Sequence, residues 1–243
     1  FRSALIPWLA AIPERTGTAG HQRRRLLTET IGSDVEKDDR HQAMEYFDIL
    51  GIPYPEGEAD VPHLKVPQDA MDRVKSYMPM EGKNLAAIIP GAAFGPSKRW
   101  PAEHFIAVGR RISEFCKVLV LGSENENQLC AGVAEGIGDG AINLAGKTSL
   151  SDLVAILGVC RLVICNDSGG MHLAAAAGSK IVAIFGLTDP AKTGPLGHGH
   201  RVITDEKMDH SRDIKRDSLE AERALRSIYP DRVIEAAMEI LES

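Results

Sequence analysis

The sequence predicts an α/β protein built on a parallel, doubly wound sheet. Three observations carry this. From residue 85 to residue 185, short apolar runs alternate with segments of helical periodicity. The runs have strand length and few polar interruptions, as expected of strands buried on both faces. A loop rich in Gly, Pro, Ser or Asn follows each run, and strict alternation implies parallel strands joined by crossover helices.

The elements follow in order. Leu85 to Ile89 reads as the first strand of this sheet, and a long Pro/Gly loop leads from it to Pro101. Pro101 then marks the start of a helix over Ala102 to Phe115, with Phe105, Val108, Ile112 and Phe115 on one face. Lys117 to Leu121 is a strand, Glu124 to Gly136 a helix and Ala141 to Leu144 a brief strand. Ser149 or Ser151 starts a helix over Leu150 to Gly158. Leu162 to Cys165 is a strand, an Ala-rich helix follows, and Lys180 to Phe185 is the next strand. Before Leu85 the pattern is less regular. Ile12 to Gly17 resembles a short strand entering a turn, and Arg40 to Leu50 an amphipathic helix. Gly51 to Pro67 reads as a Pro-rich acidic connector, and Gln68 to Met78 as a short helix.

Composition narrows the classes. The 243 residues suit one large or two small domains, and 44% hydrophobic with 26% charged residues fits a globular protein. A net charge of −6 argues against general nucleic-acid affinity. Phe1 to Thr30 nonetheless holds Arg2, Arg15, Arg23, Arg24 and Arg25 against Glu14 and Glu29. That excess suits either an anionic partner or a solvated helix face. Cys116, Cys130, Cys160 and Cys165 lie in or beside apolar segments without CxxC spacing, and read as reduced, buried thiols. His198 and His200 flank Gly199, too little to imply a metal; no metal and no cofactor is expected. Ala4 to Pro13 is too short to span a bilayer.

In a doubly wound sheet, ligands bind beyond the carboxyl ends of the strands, and five polar loops fall there. The most informative is Asn166-Asp167-Ser168-Gly169-Gly170-Met171-His172, between an apolar strand and an Ala-rich helix. The first turn of such a helix has unpaired N–H groups and a partial positive charge, and a Ser/Gly turn lets a phosphate approach them. Asp167, at the mouth, is placed to accept hydrogen bonds from sugar hydroxyls. Together these features suit a sugar attached to a diphosphate. Alternatively, Asp167 or Ser168 simply caps the helix and His172 is packing.

Four motifs in this order resemble the ADP-heptose:lipopolysaccharide heptosyltransferases, most closely their heptosyltransferase II branch. They are Pro-Gly-Ala-Ala-Phe-Gly-Pro-Ser-Lys-Arg-Trp-Pro (90–101), Gly-Lys-Thr-Ser-Leu (146–150), the Asn166 to His172 turn, and Phe-Gly-Leu-Thr-Asp-Pro (185–190) followed by Gly-Pro-Leu-Gly (194–197). The resemblance runs from Phe1 to the last helix and weakens over Thr204 to Ser227. It implies the GT-B architecture, here a complete C-terminal Rossmann-like domain plus the end of the N-terminal one. Residues 1–80 would be the remnant of the acceptor-side domain with its linker, and 81–228 the nucleotide-sugar domain. Residues 229–243 would be a helix packing back toward the N-terminal domain.

The resemblance also implies roles. Lys98 would neutralise charge on the departing diphosphate, an electrostatic contribution of about 3–4 kcal/mol for a well-placed donor; otherwise it is a solvated loop charge. Asp167 would hold the sugar, and Ser168, Gly169, Gly170 and Met171 the diphosphate through their N–H groups, with His172 as a further donor or a packed core histidine. Glu126, or failing it Glu124, would hold the ribose, unless either merely favours its helix terminus. Lys147 and Thr148 would flank the adenine, and Ala93, Thr188 and Asp189 would add contacts. Trp100 reads as packing. Arg23, Arg24 and Arg25 would meet an anionic, lipid-linked lipopolysaccharide inner-core acceptor at the inner face of the cytoplasmic membrane. The implied activity is inverting, metal-independent transfer of heptose from ADP-heptose. The family's general base, an aspartate in a Gly-rich loop of the first domain, would lie before Phe1, leaving this chain an inactive donor-binding fragment. A UDP-sugar transferase or epimerase of the same fold, or a non-catalytic nucleotide-binding module, is the alternative.

Overall fold

A computed structural model describes residues 2–20, 22–31, 40–54, 62–77, 84–205, 215 and 217–243. The chain divides into two compact units, Phe1–Glu56 with Ala191–Thr193, and Gly57–Pro190 with Gly194–Ser243.

The first unit holds helix α1 (Arg2–Leu9), strands β1 (Thr16–Gly17) and β2 (Glu29–Thr30), and helix α2 (Ala43–Leu50). β1 and β2 pair in parallel, and a short 3₁₀ turn, Arg23–Leu26, lies between them. Arg15 holds this crossover closed: its backbone N–H donates to Thr28 Oγ1 at 2.7 Å and its Nε to the Leu26 carbonyl at 2.7 Å. The strand expected over Ile12 to Gly17 is thus reduced to its last two residues. α2 ends on Gly51, whose φ of 63° is the left-handed conformation that a helix stop favours.

The second unit begins with α3 (Gln68–Tyr77) and β3 (Leu85–Ile89). Then come α4 (Ala102–Ile112), β4 (Lys117–Val120), α5 (Asn127–Ile137), β5 (Ala141–Asn143), α6 (Leu150–Val159), β6 (Leu162–Asn166), α7 (Gly169–Ala176) and β7 (Lys180–Ile184). β8 (Arg201–Ile203), α9 (Leu219–Ser227) and α10 (Pro230–Glu242) complete this unit, while the one-turn α8 (Pro190–Thr193) belongs from Ala191 on to the first. Six strands form one parallel sheet in the order β5-β4-β3-β6-β7-β8.

Alternation along each strand divides the core. Ala86 and Ile88 of β3, Leu162 and Ile164 of β6, and Val182 and Ile184 of β7 face one side, with Phe105, Val108, Val133 and Val233 from the covering helices. Ala87, Ile89, Val163, Cys165, Ile181 and Ala183 face the other, with Val74, Ile156, Leu157 and Met171. Helices cover both faces, which is why the central strands are unbroken apolar runs.

The structure differs from the sequence reading in this unit at α3 and β8. Of the residues read as remnant and linker, the described 62–77 side with the second unit. The described part of α3 buries Ala70 and Val74 against the sheet unit, and Arg73 pairs with Asp152 of α6 at 2.8 Å. The last helix packs on the sheet of its own unit. α10 buries Val233, Ala237 and Ile240 in the core of its own sheet. β8 was missed because, of its three residues, only Ile203 is buried, leaving no apolar run to detect. Segments 55–61 and 78–80, within the expected remnant and linker, and 81–83, at the start of the expected nucleotide-sugar domain, lie outside the described residues.

Candidate functional site

Chain order reverses between β3 and β6: β4 and β5 extend the sheet to one side, β7 and β8 to the other. A doubly wound sheet opens a crevice at such a switch point. Two of the five polar loops meet there.

The loop after β3 is shaped by its own sequence. Gly95, at φ 106° and ψ −162°, occupies backbone space that favours glycine, and Pro96–Lys98 then forms one 3₁₀ turn. Arg99 closes the loop from inside, donating Nε and Nη2 to the Ala92 carbonyl at 3.2 and 3.1 Å. Ser97 is buried; its Oγ donates to the Lys215 carbonyl at 2.6 Å and accepts from Ser218 N at 2.9 Å. Trp100, 2% exposed, is packing as expected, with its indole N–H donating to the Ile228 carbonyl at 2.9 Å.

So anchored, the loop carries Lys98 to Asp167. Their Nζ and Oδ2 are 2.5 Å apart, with the lysine side chain 20% and the carboxylate 8% exposed. The ammonium also lies 5.7 Å from the centroid of the Phe94 ring. Lys98 is therefore no freely solvated loop charge. A shielded pair of this length is charge-assisted, and a ligand that separates it must supply an anion for Lys98 and hydrogen-bond donors for Asp167.

Asp167 leads directly into α7. Ser168 precedes the helix in extended conformation and makes no side-chain cap bond. Its Oγ is a buried polar atom without a partner among the described residues. Neither Asp167 nor Ser168 thus serves as an ordinary side-chain cap. A Cβ at Gly169 would meet nothing within 4 Å, whereas one at Gly170 would lie 2.9 Å from Ile89 Cδ1. Gly170 thus lets the helix settle on β3, while Gly169 leaves the approach to the helix end open. Met171 N already donates to the Ser168 carbonyl at 3.1 Å, making it the least available of the four expected N–H donors. His172 is exposed and is not the packed core histidine of the alternative reading.

The neighbouring loops adjoin along the same edge. Glu126 Oε2 accepts from Ser123 N at 3.0 Å and Ser123 Oγ at 2.8 Å, a reciprocal cap on the 3₁₀ turn Glu124–Glu126 that leads into α5. Its other oxygen lies 3.9 Å from Arg99 and reaches under Gly91, where a Cβ would fall inside the carboxylate. Glu126 is thus built into the wall, while Glu124 is exposed. Gly146, at φ 72°, passes so close that its Cβ would sit 3.1 Å from Glu124 Cα. Lys147 is exposed and donates Nζ to the Asn143 carbonyl at 2.9 Å; Thr148, Thr188 and Asp189 are half-buried and Ala93 is exposed. Arg23, Arg24 and Arg25 belong to the other unit.

Sequence reasoning missed Asn166. It is fully buried at the end of β6, and its side chain bonds both ends of the Lys98 loop. Its signal was a polar residue closing an apolar strand. Among the described residues, no three or more His, Cys, Asp or Glu side chains are grouped to hold a metal ion. Burial pushes the Cys116 thiol up to about 11 and those of Cys130 and Cys160 to about 12, so none is a ready nucleophile.

Residues 1–223 match the model of glycosyltransferase family 9 (heptosyltransferase). The chain belongs to this family. Among glycosyltransferase family 9 proteins it is 34% identical over 217 residues to lipopolysaccharide heptosyltransferase 2 of Escherichia coli, covering 84% of this chain and 62% of that protein. It is 31% identical over 260 residues to lipooligosaccharide heptosyltransferase 2 of Haemophilus ducreyi, covering 99% and 74%. The solved structure of E. coli ADP-heptose lps heptosyltransferase II superposes with a TM-score of 0.79 at 29% identity, over 99% of this chain and 73% of that one. A family 9 glycosyl transferase from Veillonella parvula gives 0.79 at 26% identity, over 100% and 71%. The fold class is the expected one, α/β of the GT-B heptosyltransferase kind. The chain spans 62% of the length of its Escherichia coli and Salmonella typhimurium relatives.

Proposed function

We propose that this chain carries the donor-binding half of a lipopolysaccharide heptosyltransferase of the heptosyltransferase II branch. The observation that supports this best is the shielded Lys98–Asp167 pair at the switch point, beside the open start of α7. ADP-heptose would lie across it. Its diphosphate would rest against the N–H groups of Gly169 and Gly170 and the Ser168 hydroxyl, with His172 at the rim. Lys98 would exchange Asp167 for the phosphate oxygens, and Asp167 would turn to the heptose hydroxyls. Lys147 and Thr148 would flank the adenine, and the ribose would meet Glu126 or the exposed Glu124 beside it. Ala93, Thr188 and Asp189 would line the edge.

Chemically, an acceptor hydroxyl attacks the anomeric carbon while its bond to the diphosphate oxygen breaks, inverting the configuration. Negative charge grows on the departing ADP, where Lys98 and the helix end stabilise it without a metal. None of the residues assigned here takes the acceptor's proton, so turnover belongs to an enzyme that also carries the family's first-domain aspartate. The acceptor would be the anionic, lipid-linked inner core, met at the inner face of the cytoplasmic membrane by peripheral contact. No helix among the described residues is long and apolar enough to cross a membrane.

Calorimetric titration of this chain with ADP and with UDP tests the reading. ADP should bind more tightly. Equal affinities, or a preference for UDP, would favour a UDP-sugar enzyme of the same fold. Tight ADP binding with no donor turnover in the extended enzyme would leave only a nucleotide-binding module.

A further inference from the structure

We propose that Asn166 is a positioning residue, one that sets the Lys98–Asp167 geometry by clamping both ends of the Lys98 loop to the end of β6. The inference rests on the donor-site reading above. Pairing between β3 and β6 ends at Ile89 and Cys165. Beyond that point the backbone of Pro90, Gly91 and Trp100 has no strand ladder to join. The Asn166 side chain, 0% exposed, takes its place. Oδ1 accepts from Trp100 N at 2.9 Å, and Nδ2 donates to the Pro90 carbonyl at 2.9 Å and the Gly91 carbonyl at 3.3 Å.

One planar amide therefore fixes where the loop leaves the sheet and where it returns, seven residues before Lys98 and two after it. The next residue in the chain is Asp167, whose N–H donates to the Ile184 carbonyl at 3.2 Å and so stays tied to β7. Any shift of the loop relative to Asn166 is consequently a shift of Lys98 relative to Asp167. Few side chains can substitute. The role requires one acceptor and two donors at this length, which Asp, Ser and Leu cannot supply. A buried clamp with one partner removed leaves unsatisfied carbonyls, which the loop can relieve only by moving.

The test combines a readout free of ligand with a binding measurement. Competitive acylation of lysines, read by mass spectrometry, reports how firmly Lys98 is held, with Lys117 at the opposite sheet edge as internal reference. In Asn166→Ala, Lys98 labelling should rise several-fold relative to Lys117, and ADP-heptose affinity should fall about tenfold. Asn166→Asp adds a pH signature. Its neutral acid can donate to Pro90 and accept from Trp100, whereas its carboxylate would face two carbonyls. Burial and the two facing carbonyls should raise that carboxyl well above its ordinary value of about 3.9, so labelling and affinity in Asn166→Asp should move toward wild type as pH is lowered to about 5 and match Asn166→Ala near pH 8. Wild type run at each pH removes the contributions of Asp167, Lys98, Arg99, Glu126 and His172 nearby. A change in fold stability alone would lower the melting temperature without that pH-dependent exchange of Lys98 reactivity. Unchanged Lys98 labelling in folded Asn166→Ala would overturn the proposal. Should wild type bind no ADP-heptose while Lys98 labelling still depends on Asn166, the clamp stands and the donor reading falls.

Discussion

Asp167 serves two partners in turn on this reading, Lys98 in the free site and heptose hydroxyls in the loaded one. Asp167→Ala should then weaken ADP-heptose binding far more than ADP binding, since ADP lacks the sugar and gains an unopposed Lys98. Calorimetry on the two ligands checks this, and equal losses would remove the assignment. The residues next to the pair divide by what their neighbours allow. Gly91 has no room for a Cβ because the Glu126 carboxylate occupies that space. Gly91→Ala should push Glu126 out of its bonds to Ser123 and cost about 1 kcal/mol, the usual worth of a helix cap. Urea unfolding measures it, and an unchanged midpoint would mean that Glu126 shifts without leaving the cap. The sequence showed Asp167 and Lys98 by residue type and motif. It could not show that Glu126 is held as a cap, because that depends on the side-chain conformation chosen under Gly91.

At the scale of the element, α6 shows local signals and tertiary contacts agreeing. Ser149 accepts from Asp152 N at 3.2 Å, and the Asp152 carboxylate accepts from Ser149 N at 3.3 Å. Of the two serines proposed to start this helix, Ser149 is the one that caps it. The Ser149 hydroxyl foremost, and then the Arg73 guanidinium, hold the Asp152 carboxyl below the ordinary carboxylate range against the opposing effect of burial. A depressed folded value means stability present above the unfolded pKa and lost as pH falls through the folded one. The stability gap between wild type and Asp152→Asn should hold at pH 7 and close as pH drops below about 4. Urea midpoints across that range measure it, and a gap that does not shrink as pH is lowered would assign the effect to shape instead of charge. The same pair ties α3 to α6, which is why a helix read as linker belongs to the sheet unit.

For the whole molecule, the proposed reading is tested by turnover in an enzyme that carries the family's first-domain aspartate. There, Lys98→Ala should lower the chemical rate by about a hundredfold or more, the scale of one lost charge-stabilising donor. A near-normal rate at saturating ADP-heptose would return Lys98 to a structural role. The basic turn now separates into two parts. Arg23 is half-buried and spent locally, with Nη2 donating to Thr18 Oγ1 at 2.6 Å and Nε to the Gly20 carbonyl at 3.0 Å. Arg24 and Arg25 are exposed. Changing these two to Gln should raise the Michaelis constant for the acceptor and flatten its salt dependence, each charge being worth about 1 kcal/mol near an anionic surface. ADP-heptose affinity should not move. Acceptor kinetics that stay the same at low salt would make these arginines a solvated face.

The alternation of strands and helices was legible in the sequence because it is local. A strand buried on both faces needs an unbroken apolar run, and a crossover helix needs a 3.6-residue period. The polar loops of the candidate site were legible for the same reason, each following its own strand. Strand order was not, since it is decided by which faces pack together across the whole unit. The order β5-β4-β3-β6-β7-β8 brings β3 beside β6, so that Lys98 reaches Asp167, 69 residues further along the chain. Asn166 belongs to that second class. Its amide matters for the three backbone groups that the sheet delivers to it, and no pattern within the strand encodes them.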